Sequence, residues 1–304
     1  MSRHAGSFTS AIASSICLAA SLSCPAMAQG GSPPNFAPTA STGWFAYSRE
    51  WIPPASGAGP VRQDPSRPHV TNDEFRVTGR QPTQPVADLD NPILKPWARE
   101  AVRKRNELVL AGKPVFGQHA SCWPIGVPAF ILQPMTRPMF ILQTPKVVVM
   151  MLTSFNDVRH IYLTDKHSEN LQPSWYGESI GRYEGDTLVV DTIGLNDRTF
   201  VDGFGTPHTK ALHVIERFRL TDGGKVLEAN VHIDDPGTFT MPWSAIQRFR
   251  LFNEASTKIP VERLAQLATP PEGPLTEAIC AENPNSFFPN VPALPIPKAV
   301  SVDF

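Results

Sequence analysis

The sequence predicts a mainly β fold: an antiparallel meander that closes into a calycin- or lipocalin-like barrel or a strongly curved sheet, with one N-terminal helix and Pro-rich arms. Between Ala129 and Leu251, apolar and polar residues alternate in about nine short runs. Turn signals such as Asp222-Gly223 separate these runs, and no helical periodicity lies between them. Because a sheet of that many consecutive strands tends to curl, closure into a barrel is the expected outcome.

The first 28 residues have the features of a secretory signal peptide. Arg3 and His4 precede an apolar run that ends in Ala26-Met27-Ala28. The run is shorter than the roughly 20 residues needed to cross a membrane. The sequence therefore predicts a periplasmic or secreted protein without a membrane span.

We expect a single domain after the signal peptide, over residues 29–304. Residues 29–90 are rich in Pro, Gly and Ser and predict an irregular arm with at most short strands. Asn91-Pro92 is a typical helix start and Gly112 a typical helix end, so residues 91–112 are expected to form the helix. Residues 113–304 then form the β-rich core with a Pro-rich C-terminal tail.

The core is expected to contain antiparallel hairpins. Asp222-Gly223 between two alternating runs is a strong hairpin signal, and a two-residue loop there places Arg217 opposite Glu228, and His213 beside His232. The runs that predict strands are 130–133, 140–143, 147–152, 158–163, 179–183, 187–193, 212–220, 226–233 and 243–251.

This alternation gives the last strands two different faces. Glu216 and Gln247 fall on an apolar face, whereas Arg217 and His232 fall on a polar one. Either the apolar face is the core and the polar face meets solvent, or the polar face lines the lumen of a calycin-like barrel that holds one small ligand. In the first case Glu216 and Gln247 are buried polar groups that need partners.

The cysteines predict one disulfide. Cys17 and Cys24 lie within the signal peptide, so the mature chain keeps only Cys122 and Cys280. Two lone cysteines in an oxidising compartment most often pair. A Cys122–Cys280 disulfide is therefore expected, and a catalytic thiol is the less favoured alternative.

The charge balance argues against one class of partner. The formal net charge is -1 and 18% of residues are charged, which leaves no basic surface of the kind that nucleic acid requires. We expect no nucleic-acid partner and instead a small lipophilic or aromatic molecule. The sequence does not indicate an oligomeric state.

Acid–base residues are concentrated between Asp191 and Asp235. His208 or His213 is the candidate general base, and Glu216 or Asp191 is its candidate partner or acid. The candidates for ligand binding are His167, Trp175, Asp202, Arg217, His232 and Gln247.

Two alternatives compete with these roles. Asp202, His208 and His213 suggest a metal set, but their spacing matches no common zinc signature, so neither a metal nor another cofactor is expected. The second alternative is structural: His208 and Asp202 order a loop, and His167 is a turn residue.

A long motif carries a resemblance. Residues 175–192, WYGESIGRYEGDTLVVDT, are followed by Pro207-His208, Leu212-His213-Val214 and Glu216-Arg217-Phe218. Together they resemble a family of exported bacterial proteins with the pattern W-x-G-x-S-I-G-x-[WY]-E-G-D-T-L-V-V-D-T. The resemblance extends from residue 122 to residue 283, and Tyr183 stands where Trp is usual. It implies a shared fold and export, and it implies no particular reaction.

Three classes of function fit the sequence. The first is a cofactor-free lyase, isomerase or hydrolase that acts on a lipophilic or aromatic substrate. The second is a non-catalytic, calycin-like ligand-binding protein, and the third is an envelope interaction module that uses the Pro-rich arms. The density of histidines and carboxylates favours the enzyme. Convergence of His208, His213 and Glu216 on one cavity would discriminate between these classes.

Overall fold

A computed structural model describes one closed β-barrel, against which the N-terminal segments and one long helix pack. The described residues are 32–39, 42–46, 61–70, 74–75, 78–90, 93–113, 115, 122–133, 138–152 and 157–251. The predicted signal peptide, the C-terminal tail and Cys280 lie outside them, as does a short helix suggested by Pro260.

Nine strands close the barrel in the described part of the chain. Strands adjacent in sequence are adjacent in the barrel, and β1 closes it by pairing with both β2 and β9. The strands are β1 (Gly43–Ala46), β2 (Met139–Gln143), β3 (Val147–Leu152), β4 (Asp157–Tyr162), β5 (Glu178–Glu184), β6 (Thr187–Ile193), β7 (His213–Thr221), β8 (Val226–Asp234) and β9 (Trp243–Leu251). The predicted mainly β barrel is confirmed.

One strand pair departs from the antiparallel pattern. β4 and β5 run parallel, with Ile161 opposite Ser179 and Tyr162 opposite Ile180. Parallel neighbours need a connection of a dozen or more residues to return the chain to the same end. Residues 163–177 provide this connection.

One predicted strand is not observed. The apolar run at 130–133 is not a strand: Ala129–Leu132 form one buried helical turn, α2. An apolar run this short does not distinguish a buried strand from a buried helix. The ninth strand is instead β1, a short strand of four residues within the predicted arm, and it is buried along its whole length.

The long helix starts later than residue 91. It spans Pro96–Leu110, with Lys95 at its N-cap, and we call it α1. The two residues before Lys95 are held outside the helix, because Leu94 forms a β-bridge to Phe239 and the Ile93 carbonyl accepts a hydrogen bond from the Thr240 N–H. Among the described residues, no helix has the length and apolar character that crossing a membrane requires.

The apolar face of the sheet points into the barrel. Trp44, Met150, Phe218 and Phe249 are among its largest fully buried side chains, whereas the Arg217 side chain remains 48% exposed outside. The first interpretation of the two faces is therefore confirmed. A polar lumen is the wrong alternative, because the inward positions of the described strands are filled mainly by apolar side chains.

The β7–β8 register differs from the predicted one by two residues. The loop contains the four residues Asp222 to Lys225 rather than two, so Ile215 is opposite His232, and His213 is opposite Asp234. Arg217 faces Asn230, which makes the predicted Arg217–Glu228 pair wrong. Because side chains alternate with a period of two, this even shift leaves every face assignment intact.

Candidate functional site

Four side chains form a hydrogen-bonded line on the outer face of β5 to β7. Nε2 of His213 lies 2.9 Å from Oδ1 of Asp191, and Nε2 of His167 lies 3.2 Å from the same oxygen. Nδ1 of His167 lies 3.1 Å from Oε1 of Glu178. We call the line His213–Asp191–His167–Glu178 the relay.

The strand order explains why these residues meet. Glu178 is the first residue of β5, Asp191 lies near the end of β6 and His213 is the first residue of β7, so all three lie at one end of the barrel. Their side chains point outward because alternate residues of a strand share a face. His167 comes from the 163–177 loop, which is fixed by a 2.8 Å hydrogen bond from the Ser168 N–H to Glu178.

The relay is partly accessible to solvent. The His213 side chain is 39% exposed and Asp191 is 30% exposed, whereas His167 and Glu178 are each 18% exposed. Nδ1 of His213 has no hydrogen-bond partner among the described residues. His213 is therefore the member of the relay that a small molecule can reach most easily.

The hydrogen bonds also favour particular protonation states. Partial burial raises the pKa of Glu178, but the hydrogen bonds from Ser168 and His167 outweigh burial and hold the pKa below its usual value. His167 faces a carboxylate oxygen with each ring nitrogen, Oε1 of Glu178 and Oδ1 of Asp191. His213 can take up a proton at Nδ1 while its Nε2–H donates to Asp191, which is the arrangement of a base and its orienting carboxylate.

Two tryptophans pack against each other, and one of them, Trp175, is close to a relay residue along the chain. The rings of Trp123 and Trp175 lie 5.3 Å apart between centroids at an angle of 50°. Trp123 is 46% exposed. Trp175 precedes Glu178 by three residues, a chain length of at most about 10 Å.

Glu216 lies inside the barrel rather than at the relay. Its carboxylate and the guanidinium of Arg159 form a fully buried ion pair, with a 2.9 Å contact from Nη1 to Oε1 and a second contact from Nη2 to Oε2. Arg159 also donates to the hydroxyls of Ser179 and Thr192, at 3.1 and 3.0 Å. The polar group on the apolar face is thus fully partnered.

His208 is buried in the loop between β6 and β7. Nδ1 donates to the Thr209 carbonyl at 3.0 Å, so Nε2 accepts from the Thr199 hydroxyl at 2.7 Å. Burial lowers the pKa of His208 and keeps the ring neutral. This geometry orders the loop.

Asp202 orders the same loop. One oxygen accepts the N–H groups of Phe204 and Thr206 at 2.9 and 3.2 Å, and the other accepts the Thr206 hydroxyl at 2.8 Å. Complete burial raises the pKa of Asp202 to about 6, although these hydrogen bonds and Arg105 act in the opposite direction.

The remaining candidate ligand-binding residues are dispersed. Arg217 donates to Glu184 at 2.8 Å on the outer surface, and Nδ1 of His232 lies 3.0 Å from the Ser244 hydroxyl. Gln247 is buried inside the barrel.

Glu228 has other partners than the predicted Arg217. It accepts hydrogen bonds from Arg219 at 2.7 Å and from Arg248 at 2.8 Å. Glu228 lies directly opposite both arginines in the barrel, which explains the choice.

The predicted convergence of His208, His213 and Glu216 is not observed. His208 lies in the loop between β6 and β7, His213 on the outer face of the barrel and Glu216 on its inner face. Three relay residues were candidates from the sequence, and their roles stay predictions. Glu178 and Arg159 were missed. The alternation that assigned faces to β7 would have placed Glu178 on the outer face of β5, and Arg159 on the inner face of β4 beside Ile161.

Within the described residues, no group of three or more His, Cys, Asp and Glu side chains is arranged to hold a metal ion. Cys122 is disulfide-bonded, but Cys280 lies outside the described residues, so the Cys122–Cys280 pairing stays a prediction. Comparison with protein-family models, with curated proteins and with solved structures finds no match. The family resemblance of the 175–192 motif likewise stays a prediction.

Proposed function

We propose that the protein is an exported, cofactor-free lyase, isomerase or hydrolase that acts on a small lipophilic or aromatic molecule by acid–base chemistry at the relay. The observation that carries this proposal is the uninterrupted alternation of imidazole and carboxylate from His213 to Glu178. Partly exposed charged pairs contribute little to stability. A base oriented by a carboxylate is, in contrast, a working part of many acid–base enzymes.

In this mechanism His213 is the general base. Nδ1 of His213 removes a proton from the substrate or from a water molecule, and Asp191 stabilises the imidazolium that forms. His167 and Glu178 hold Asp191 in place through the second contact to Oδ1. The proton then returns from His213 to the product, which leaves the relay unchanged.

The Trp123–Trp175 pair supports a planar, apolar substrate. Indole rings provide a large apolar contact surface that suits an aromatic or lipophilic molecule. The proposed location, the periplasm or the exterior, rests on the predicted signal peptide at residues 1–28.

The test uses two chromogenic probes with the mature protein. Ring opening of 5-nitrobenzisoxazole reports proton abstraction from carbon, and cleavage of 4-nitrophenyl acetate reports hydrolysis. Because a positioned base typically contributes about 10²-fold or more, His213→Ala and Asp191→Asn are expected to lower kcat/KM for at least one probe by about that factor.

His232→Ala is the matched control, since His232 also lies on the outer face of the barrel but contacts Ser244 rather than the relay. Its rates should equal those of the wild type. Equal rates in the wild type, His213→Ala and Asp191→Asn for both probes would contradict the proposed function.

One observation favours the interaction-module alternative. On the outer face of β2 and β4, which is separate from the Pro-rich arms, Leu142 is 54%, Tyr162 51% and Val158 38% exposed. Large apolar side chains exposed on one face of a protein are often part of a contact with another molecule. The calycin-like binding alternative has less support, because side chains fill the interior of the described barrel.

A further inference from the structure

A second polar cluster lies on the inner side of the strands that carry the relay. Ser179 of β5 and Thr192 of β6 are opposite each other, and their hydroxyl oxygens are 2.9 Å apart. Arg159 of β4 donates to both hydroxyls, and it forms the buried ion pair with Glu216 of β7. We call these four side chains the buried arginine cluster; it ties four consecutive strands together.

The cluster and the relay are joined through the backbone. Ser179 follows Glu178 directly, and Thr192 follows Asp191 directly, so each hydroxyl and its neighbouring carboxylate point to opposite faces of the same strand. A small displacement of β5 against β6 inside the barrel therefore also changes the spacing of the two carboxylates outside. His167 contacts both carboxylates at 3.1 and 3.2 Å, and hydrogen bonds of this length tolerate little displacement.

Stability alone does not explain a fully buried ion pair. Desolvation of two charges is costly, and well-packed apolar residues of similar volume are often as stable or more stable. The neighbouring inward positions of the barrel are apolar, as at Val214 and Phe218. Apolar side chains would therefore fill the space of this cluster without the cost of burying two charges. The polar cluster is then better explained by the positions in which it holds its neighbours.

We infer that the buried arginine cluster, with Arg159 at its centre, is the positioning element of the relay. It fixes the distance between Glu178 and Asp191 and so keeps His167 in contact with both. The inference builds on the proposed function, because it assigns the device that aligns the same site. Arg159 is a positioning residue, since it contacts Ser179, Thr192 and Glu216 and no member of the relay.

The test replaces the ion pair as a unit. In Arg159→Met/Glu216→Leu both charges are removed together, so neither is left buried without its partner. The readout is the NMR signals of the His167 and His213 ring N–H groups, which hydrogen bonds to carboxylates protect from exchange with water. The variant is expected to fold and to exchange these protons at least about tenfold faster than the wild type, because their charged hydrogen bonds lengthen.

Glu228→Gln is the matched control. Glu228 also joins adjacent strands through two arginines, Arg219 and Arg248, but it lies on the outer face and next to no relay residue. Its ring N–H signals should match those of the wild type. If the arginine cluster only stabilises the fold, the ring N–H signals of Arg159→Met/Glu216→Leu should also match those of the wild type. That outcome would overturn the inference.

A milder variant covers the case in which the double replacement does not fold. Ser179→Ala/Thr192→Val keeps the ion pair and removes only the hydroxyls that connect it to β5 and β6. This variant should also exchange the His167 ring proton faster, and unchanged exchange in it overturns the inference. If the wild-type protein turns over neither probe but the variants still exchange the ring protons faster, the proposed function is refuted and the positioning role stands.

Discussion

At the scale of the residue, most of the histidines and carboxylates between Asp191 and Asp235 serve the structure. His208 is a neutral ring that joins two threonines, and Glu216 neutralises a buried arginine. Asp235 accepts the Thr209 and Thr238 hydroxyls, each at 2.7 Å. A dense set of acid–base residues in a sequence therefore does not locate a site, because buried loops need the same side chains to satisfy their backbone.

Asp202 should make stability depend on pH. Its pKa in the folded protein is about 6, above the ordinary value of 3.8, because it is completely buried. The folded state therefore binds this proton more tightly than the unfolded state, and stability rises as the pH falls through 6. From pH 7.5 to pH 5 the wild type should gain stability relative to Asp202→Asn, towards a limit of about 3 kcal/mol below pH 4.

Urea unfolding of both proteins between pH 5 and 7.5 measures this difference. Asp235→Asn is the control, because partial burial raises the pKa of Asp235 but its hydrogen bonds from Thr209 and Thr238 hold it below the usual value. The stability that Asp235 contributes is therefore lost only below about pH 4. A wild type and Asp202→Asn with parallel pH profiles would show that Asp202 stays ionised.

At the scale of the element, alternation predicted faces well and register less well. The period-two pattern placed Glu216 and Gln247 on the apolar face and Arg217 on the polar face, and the structure shows that the apolar face is the buried one. It could not fix the β7–β8 loop, since Asp222-Gly223 is compatible with both a two-residue and a four-residue turn. The relay was harder to predict than the register. His167 lies in the 15-residue connection between β4 and β5, and the path of this connection depends on contacts distant in sequence.

The two turns that flank β5 offer a matched pair of glycines. Gly177 and Gly185 have nearly equal φ values of +63° and +62°, but a Cβ at Gly177 would lie 2.3 Å from the Ile193 carbonyl oxygen, whereas at Gly185 it would meet open space. Both alanine variants should lose about 1 kcal/mol to the left-handed backbone. Gly177→Ala should lose about 2 kcal/mol more, since the Ile193 backbone must move. Chemical denaturation measures the free energy of unfolding of both variants. Equal losses in the two variants would mean that the backbone at Ile193 moves aside at no cost.

At the scale of the whole molecule, the N-terminal arm and α1 complete the core that the barrel begins. Gln143 fixes the arm, because it accepts from the Phe36 N–H and donates to the Pro34 carbonyl, both at 2.8 Å. Phe36, with Ala98 and Val102 of α1, joins the same buried apolar cluster as the strands. Composition predicted an irregular Pro-rich arm, but only the long-range contacts show that the arm packs on the barrel and where.

The predicted Cys122–Cys280 disulfide would act on this whole assembly. Cys122 lies just before Ile125, whose N–H donates to Asp157 at the start of β4, so the bridge would tie the C-terminal segment to the barrel near that strand. In the chain-entropy model, closing a loop of well over a hundred residues contributes about 4 to 5 kcal/mol. Reduction of the native protein should therefore lower Tm by about 10 °C. Cys122→Ser/Cys280→Ser should melt at the reduced temperature with or without reductant, and alkylation of Cys280 in the unreduced native protein would show that Cys122 has another partner.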